Sequence, residues 1–373
     1  MNVSLNEIFY FMGLTQSDGG FFVLVRGEEP VLKPIFKLTS LTNTNTLGQS
    51  IDFKKRIGVY SGYETGVASD PEIQEPGRAP SIRVQSVEGI NKIIALYKEA
   101  WLEVTGIDTP LLANKQRDLM LLALICSNQS FSKEEKIDIQ KSFHKESYDD
   151  NDFPTNAQTR SRADHEERLN IVGKSAGAAK DIVKNVENTL KPADPTKILC
   201  DFWLGLLDGD GGFHVACRAE MNDSRQYISY LSFSIYVTLT LEINSKSVFR
   251  DFEKAVGLRP SIIRDFRETT GKNAYQIQIR DAEEVKKLIK FIDNCGGLRG
   301  DAKRSDFELM KETQNLREQG VLYKSFSGDR AYQHEVMDKL LFKIFRVVQR
   351  PRKGRRRSLT YEGAMQIVRE LYK

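Results

Sequence analysis

A chain of 373 residues is long enough for two or three domains, and its 40% apolar content is enough for ordinary globular cores. The formal net charge of +4 is too small to argue for a polyanionic partner by its sum, so the placement of charge carries more weight. Cys126, Cys200, Cys217 and Cys295 form no C-x-x-C pair, and His144, His165, His214 and His334 show no ligand spacing. A disulfide framework and a zinc site are therefore excluded, and reduced thiols in a reducing compartment are expected.

The chain opens on "MNVSLNEIFYFMGL", which lacks a basic region followed by a long apolar run, so no signal or transit peptide is expected. No stretch approaches the roughly 20 apolar residues of a membrane span, and no membrane partner is expected. This first helix runs into "FMGLTQSDGGF" (Phe11–Phe21). The segment has a counterpart at Trp203–Phe213, "WLGLLDGDGGF", at an offset of 192. The match sets Gly13 against Gly205, Asp18 against Asp210 and Phe21 against Phe213.

Further matches follow in the same order. "DFKKRIGV" (Asp52–Val59) answers "DFEKAVGL" (Asp251–Leu258), and "SIRVQSVEGINKII" (Ser81–Ile94) answers "QIQIRDAEEVKKLI" (Gln276–Ile289). "ANKQRDLML" (Ala113–Leu121) answers "DAKRSDFEL" (Asp301–Leu309), which sets Lys115 against Lys303. Ordered matches at nearly constant offset identify a tandem duplication.

In each repeat a helix leads through Asp-Gly-Gly into an alternating strand. In the second repeat Phe213, Val215 and Cys217 fall on one face and His214, Ala216 and Arg218 on the other. A second strand over Ile235–Ile243 turns Ile235, Val237, Leu239 and Leu241 one way. A helix over Ser245–Val256 ends at Gly257, two more strands follow, and helices are expected over Ala282–Asn294 and Lys303–Glu318. The fold class is α+β. It comprises two pseudo-symmetric α-β-β-α-β-β-α units, each with an antiparallel sheet covered on one face. The expected boundaries are residues 1–145 for the first unit, 146–197 for a polar linker, 198–348 for the second unit and 349–373 for a basic C-terminal segment with a short helix. One helix near Ala176–Leu190 is expected in the linker. "RPRKGRRR" (Arg350–Arg357) is a like-charge run suited to phosphate contacts.

Gly205 and Gly209 lie four apart, as do Gly13 and Ser17, so each helix carries a stripe of small residues on one face. The stripes predict that the two repeated helices pack on each other across a pseudo-twofold axis. Asp18 and Asp210 end these helices, where the helix dipole disfavours an acid. Two carboxylates brought together repel unless a cation or proton lies between them, and a hard divalent cation suits oxygen ligands. The backbone carbonyls of Ser17 and Gly209 are expected to add donors. A calcium loop of the EF-hand type is excluded, because "DGDGG" would need an acid or amide at Gly212 and a glutamate at Ala219. The Gly-Gly pair also serves the helix-to-strand turn.

"WLGLLDGDG" and "FMGLTQSDG" resemble the two signature helices of the LAGLIDADG homing endonucleases, in the single-chain, two-repeat form. The resemblance covers both repeats, and "AKRSDFELMK" resembles the family's later lysine-containing element. It implies that each unit offers a saddle-shaped antiparallel sheet to the DNA major groove. It also implies that Asp18 and Asp210 bind divalent metal, Mg²⁺, at the scissile phosphates, with Lys115 and Lys303 as electrostatic or water-network partners. The implied activity is a site-specific double-strand cut across the minor groove that leaves short 3′ overhangs, by metal-assisted hydrolysis. One departure stands out: the acid at Asp208 is replaced by Gln16 in the first repeat.

Readout of double-stranded DNA, at a long specific target, is expected from the open strand faces. The candidates are Arg26, Lys37, Arg83 and Gln85 in the first repeat, and Arg218, Gln276, Gln278 and Arg280 in the second. An intron maturase that binds its host intron RNA and a DNA-binding protein without catalysis are the alternatives. An intein is not expected, since the chain starts at Met1 without a splicing nucleophile and ends "RELYK". The family's habit implies an intron-encoded monomer acting in a mitochondrion or chloroplast.

Overall fold

The computed structural model describes residues 4–26, 31–39, 81–127, 131–136, 139, 191–222, 224, 227–242, 245–266, 274–347 and 359–373. The matching segment Asp52–Val59, the helix expected near Ala176–Leu190 and the basic run Arg350–Arg357 lie outside these residues.

Helix α1 (Leu5–Asp18) starts at Ser4, whose hydroxyl accepts from the Glu7 amide, a standard N-cap arrangement. It passes directly into β1 (Gly19–Arg26), which pairs antiparallel with β2 (Val31–Thr39), and β2 pairs antiparallel with β3 (Ser81–Val84). The register aligns Phe21, Phe36 and Val84, all buried, so these residues mark the core face. Gly20, Lys37 and Arg83 align one residue later, on the opposite face. Helix α2 (Val87–Thr105) is capped by Ser86 and stops at Gly106 in a left-handed conformation (φ 73°). Helix α3 (Ala113–Ser127) follows.

The second repeat gives α4 (Cys200–Asp210), β4 (Gly211–Met221), β5 (Ile228–Glu242), α5 (Lys246–Val256), β6 (Arg264–Asp265), β7 (Ala274–Ile279), α6 (Ala282–Asn294) and α7 (Asp301–Glu318). Its sheet has the order β4-β5-β7-β6. In this second repeat the order of elements is the expected α-β-β-α-β-β-α, and both sheets are antiparallel where their registers are described. Strand β5 starts seven residues before the Ile235 predicted from sequence, because Leu231 and Phe233 continue the buried alternation of Ile235, Val237, Leu239 and Leu241. Helix α6 spans the residues predicted for it, and Asp281 caps it by accepting from the amides of Glu283 and Glu284. Helices α8 (Arg330–Phe342) and α9 (Tyr361–Leu371) complete the chain, with a π-helical turn over Lys343–Val347 after α8.

By compactness the chain divides into Met1–Asp210 with Leu239–Ile277, and Gly211–Thr238 with Gln278–Lys373. The first unit is organised around a run of aromatic contacts. Phe9 stacks on Trp101 at 5.6 Å, Trp101 meets the edge of Phe202, Phe202 meets Trp203 at 5.0 Å, and Trp203 meets Phe252. These rings tie α1, α2, α4 and α5 together and bury large apolar areas. In the second unit Phe213 packs edge-on against Phe307 of α7, while Leu231 and Phe233 share a core with Met337, Leu340, Met365 and Val368 of α8 and α9. The Tyr372 hydroxyl lies on the Leu231 backbone, accepting from its amide at 3.1 Å. None of the four cysteines is in a disulfide, and burial pushes the thiols of Cys126 and Cys217 up to about 11 and about 12. Among the described residues no helix is long and apolar enough to cross a membrane.

Candidate functional site

Helices α1 and α4 lie side by side within the first compact unit. A Cβ added to Gly13 would collide with the backbone carbonyl of Phe202, and one added to Gly205 would collide with the carbonyl of Tyr10. Backbone meets backbone here, which only glycine permits on both sides. Farther along, a Cβ on Gly209 would strike the Ser17 side chain and fall 3.3 Å from Asp18 Oδ2. The structure thus brings Gly13, Ser17, Gly205 and Gly209 to one helix–helix contact.

The direction of the pair follows from its contacts. Asn6 Nδ2 donates to Asp201 Oδ2 at 2.8 Å near the two N-termini, and Gly209 meets Ser17 and Asp18 at the two C-termini. The helices run parallel, so their negative dipole ends lie together, each finishing in an aspartate. Asp18 and Asp210 are both half-buried. Two acids and two helix C-termini at one place concentrate negative charge, and the arrangement is favoured by a cation. Ser17 Oγ donates back along its own helix to Leu14 O at 3.0 Å. All the donors here are hard oxygens, the chemistry suited to Mg²⁺ or Ca²⁺. Among the described residues no group of three or more His, Cys, Asp or Glu assembles, so a cation here would rely on the two carboxylates, carbonyls and a non-protein ligand.

Each aspartate is followed by a glycine whose carbonyl receives a lysine. Lys115 Nζ donates to Gly19 O, and Lys303 Nζ donates to Gly211 O. The two lysines differ in burial, with Lys115 4% exposed and Lys303 half-buried. The residues two positions before the aspartates differ more. Asp208 is fully buried and accepts from the Tyr10 hydroxyl at 2.7 Å. Gln16 is also buried, but its amide turns to Leu112: Oε1 accepts from Leu112 N at 2.9 Å and Nε2 donates to Leu112 O at 3.1 Å. Thr15, beside it, shares a 2.9 Å hydrogen bond with Tyr97, whose phenol is pushed up by burial. Sequence reasoning did not assign Tyr10, Tyr97 or Leu112. The one available signal was the exchange of acid for amide at Gln16.

The candidate DNA-reading residues are placed as follows. Lys37 is half-buried on the face away from Phe36, its register partners being Gly20 and Arg83. Arg26 ends β1 opposite Val31, and Gln85 follows β3, half-buried; the side chains of Arg26 and Arg83 lie outside the described residues. Gln276 Nε2 donates to Thr240 Oγ1 at 2.9 Å, Gln278 is half-buried, and Arg218 is exposed on β4.

Arg280 belongs to a small array that no sequence pattern announced. Its guanidinium lies 5.5 Å from the centre of the Tyr236 ring, and His214 stacks on the same ring at 4.7 Å. His214 Nε2 in turn shares a 3.0 Å hydrogen bond with Thr238. The array stands on the strand face opposite Ile235 and Val237, and it restrains an arginine on an open sheet.

No family model and no curated protein matches the sequence. Solved structures do match. The LAGLIDADG homing endonuclease I-LtrWI bound to target DNA aligns with a TM-score of 0.56 at 14% identity, over 94% of this chain and 99% of that one. The LAGLIDADG meganuclease I-AabMI bound to uncleaved DNA aligns with a TM-score of 0.54 at 14% identity, over 88% of this chain and 97% of that one. I-SmaMI bound to an uncleaved DNA target in the presence of calcium ions aligns with a TM-score of 0.55 at 12% identity, over 92% of this chain and 97% of that one. At such identities the likeness establishes the fold. The chain has the architecture of the single-chain LAGLIDADG homing endonucleases.

Proposed function

We propose that this chain is a site-specific endonuclease that cuts both strands of double-stranded DNA with a divalent metal, Mg²⁺, across the minor groove, leaving short 3′ overhangs. The observation that carries the reading is the parallel pair α1 and α4. It sets Asp18 beside the end of the helix that finishes at Asp210, with a lysine held at the carbonyl after each aspartate. The shared fold with DNA-bound endonucleases supports the same reading.

Asp18 and Asp210 are the carboxylates that would hold the metal, with the carbonyls of Ser17 and Gly209. When bound, such a metal supplies Lewis-acid stabilisation of phosphate charge and lowers the pKa of a water nucleophile. The chain's own residues do the rest. Lys115 and Lys303 place a positive charge beside each aspartate's strand, where charge builds on a phosphate in the transition state. The close approach at Gly13 and Gly205 fixes the spacing of the two helix ends. Arg280, Arg218 and Gln278, with Gln276, Lys37, Arg26, Arg83 and Gln85, read base edges, the arginines suiting guanine and the glutamines adenine. Arg350–Arg357 contacts phosphates without reading sequence.

The test uses purified chain, Mg²⁺ and a randomised duplex-DNA library, with the uninterrupted form of the gene's own insertion site as a second substrate. The expected result is cleavage of one long sequence on both strands, with binding retained and cleavage lost in Asp18→Asn and Asp210→Asn. Normal cutting by both variants would show the metal assignment to be wrong. Binding of the host intron's RNA with faster splicing, and no DNA cleavage, would establish the maturase instead.

A further inference from the structure

The first repeat holds its lysine by a device that the second repeat lacks. Helix α3 begins after an unusual turn: Leu111 (φ 71°) and Ala113 (φ 44°) are the non-glycine residues with positive φ among those described. The left-handed region is disfavoured for any residue with a Cβ, and a fully buried leucine gains nothing local to offset it. Between these two lies Leu112, and its amide and carbonyl are both bonded by the single side chain of Gln16. Three residues after Leu112, Lys115 reaches the carbonyl of Gly19. Gln16 therefore joins the end of α1, two residues before Asp18, to the turn that aims Lys115.

The matching turn of the second repeat is built differently. It uses no left-handed residue: Gly300, which aligns with Leu112, has φ −78°, and the glycines of positive φ nearby, Gly296 (φ 89°) and Gly297 (φ 83°), close the end of α6 as Gly106 closes α2. Arg304, from α7 itself, donates to the carbonyls of Leu298 and Arg299 at 2.9 and 3.0 Å. Asp208, which stands where Gln16 does, instead accepts from Tyr10. The carboxylate at 208 could not replace Gln16, because a carboxylate accepts but does not donate to a carbonyl.

We infer that Gln16 is a positioning residue for the Asp18 side of the site: it pins Leu112 in the strained turn and so fixes Lys115 at Gly19. This rests on the endonuclease reading. Its consequence is asymmetric, since loss of the clamp should slow the cut on one DNA strand and spare the other. Loosening a group by an ångström is enough to slow a reaction by about tenfold or more.

The experiment uses the full chain with Mg²⁺ and the duplex target selected by the wild type, each strand carrying its own label, under single-turnover conditions. Gln16→Leu should slow one strand at least about tenfold and the other less than about twofold. The slowed strand should be the one slowed by Lys115→Met, and the double variant should be no slower than Lys115→Met alone, as expected of residues acting as one unit. Gln16→Glu keeps the acceptor for Leu112 N but loses the donor to Leu112 O, and should slow the same strand less. Amide hydrogen exchange at Leu112 should rise in Gln16→Leu, a readout that needs no DNA and can be made on Gln16→Met, which also lacks the acceptor, should Gln16→Leu fail to fold.

Equal slowing of both strands, additive effects with Lys115→Met, or unchanged exchange at Leu112 would overturn the inference. If the wild type selects no target at all, the endonuclease reading falls, and exchange at Leu112 decides whether Gln16 holds the turn.

Discussion

The two ends of the signature helices are alike in outline and unlike in support. Each runs aspartate, glycine, strand, with a distant lysine on the first glycine's carbonyl. Around Asp18 the support is buried and tightly bonded: Lys115 is 4% exposed, and Gln16 spans to Leu112. Around Asp210, Asp208 bonds Tyr10 of the other helix, and Lys303 is half-buried on a helix whose preceding turn is bonded by Arg304. Duplication thus preserved the order of chemical groups while each copy found its own way to hold them. A turn that puts leucine and alanine in the left-handed region costs roughly 1–2 kcal/mol per residue, which a side-chain clamp must offset, whereas the turn before α7 avoids that region.

The largest expected effect tests whether the chemistry is symmetric despite this difference. Asp18→Asn and Asp210→Asn should each reduce double-strand cleavage by about 10²-fold or more while leaving target affinity within a few-fold. Quenched-flow cleavage and a gel-shift titration measure the two quantities. A variant that still linearises DNA at the wild-type rate would remove its aspartate from the metal site.

Next in size is the helix contact that both copies share. Gly205→Ala should destabilise the fold by about 1–3 kcal/mol, since its methyl meets the Tyr10 carbonyl rather than a movable side chain. Gly257→Ala, at φ 76° with nothing within 4 Å of the added Cβ, should cost only about 1 kcal/mol. Urea titration of both proteins decides the order, and a harmless Gly205→Ala would contradict the close approach.

A smaller effect separates Asp208 from Gln16. Tyr10→Phe removes a 2.7 Å hydrogen bond to a buried carboxylate and should cost about 1–2 kcal/mol in thermal unfolding. Cleavage should fall on neither strand selectively, in contrast to the Gln16 variants.

The smallest effect concerns pH. Burial pushes the Asp251 carboxyl up to about 6, against a weaker opposing pull from Lys254. A carboxyl with a raised native pKa binds its proton more tightly when folded, so its contribution is present at low pH and is lost as pH rises towards 6. Asp251→Asn should therefore raise the melting temperature slightly at pH 7 and flatten its dependence between about pH 4 and 6. A melting temperature lowered at pH 7 would show that the carboxylate is stabilising there.

Much of this was written in the sequence. Period-two alternation marked the buried face of β5, the glycine at 257 bounded α5, and α6 spans the predicted Ala282–Asn294. The small-residue stripes at Gly13, Ser17, Gly205 and Gly209 foretold two helices with closely approaching backbones. Helix α8 and the π-helical turn after it escaped notice, because they lie past the end of the repeated pattern. The His214–Tyr236–Arg280 array was equally hidden, since its members are separated by 22 and 44 residues in sequence and meet only through strand pairing.

The sequence by itself therefore determined the repeat, the order of elements in its second copy and the core faces, because these are local periodicities or matched positions. Tertiary structure alone decided that α1 and α4 run parallel, that Asp208 belongs to Tyr10, and that Gln16 belongs to Leu112. Those pairings join residues 96 to 198 positions apart. No local propensity encodes such a partner: a buried amide or carboxylate is bonded to whichever group the completed packing brings within reach.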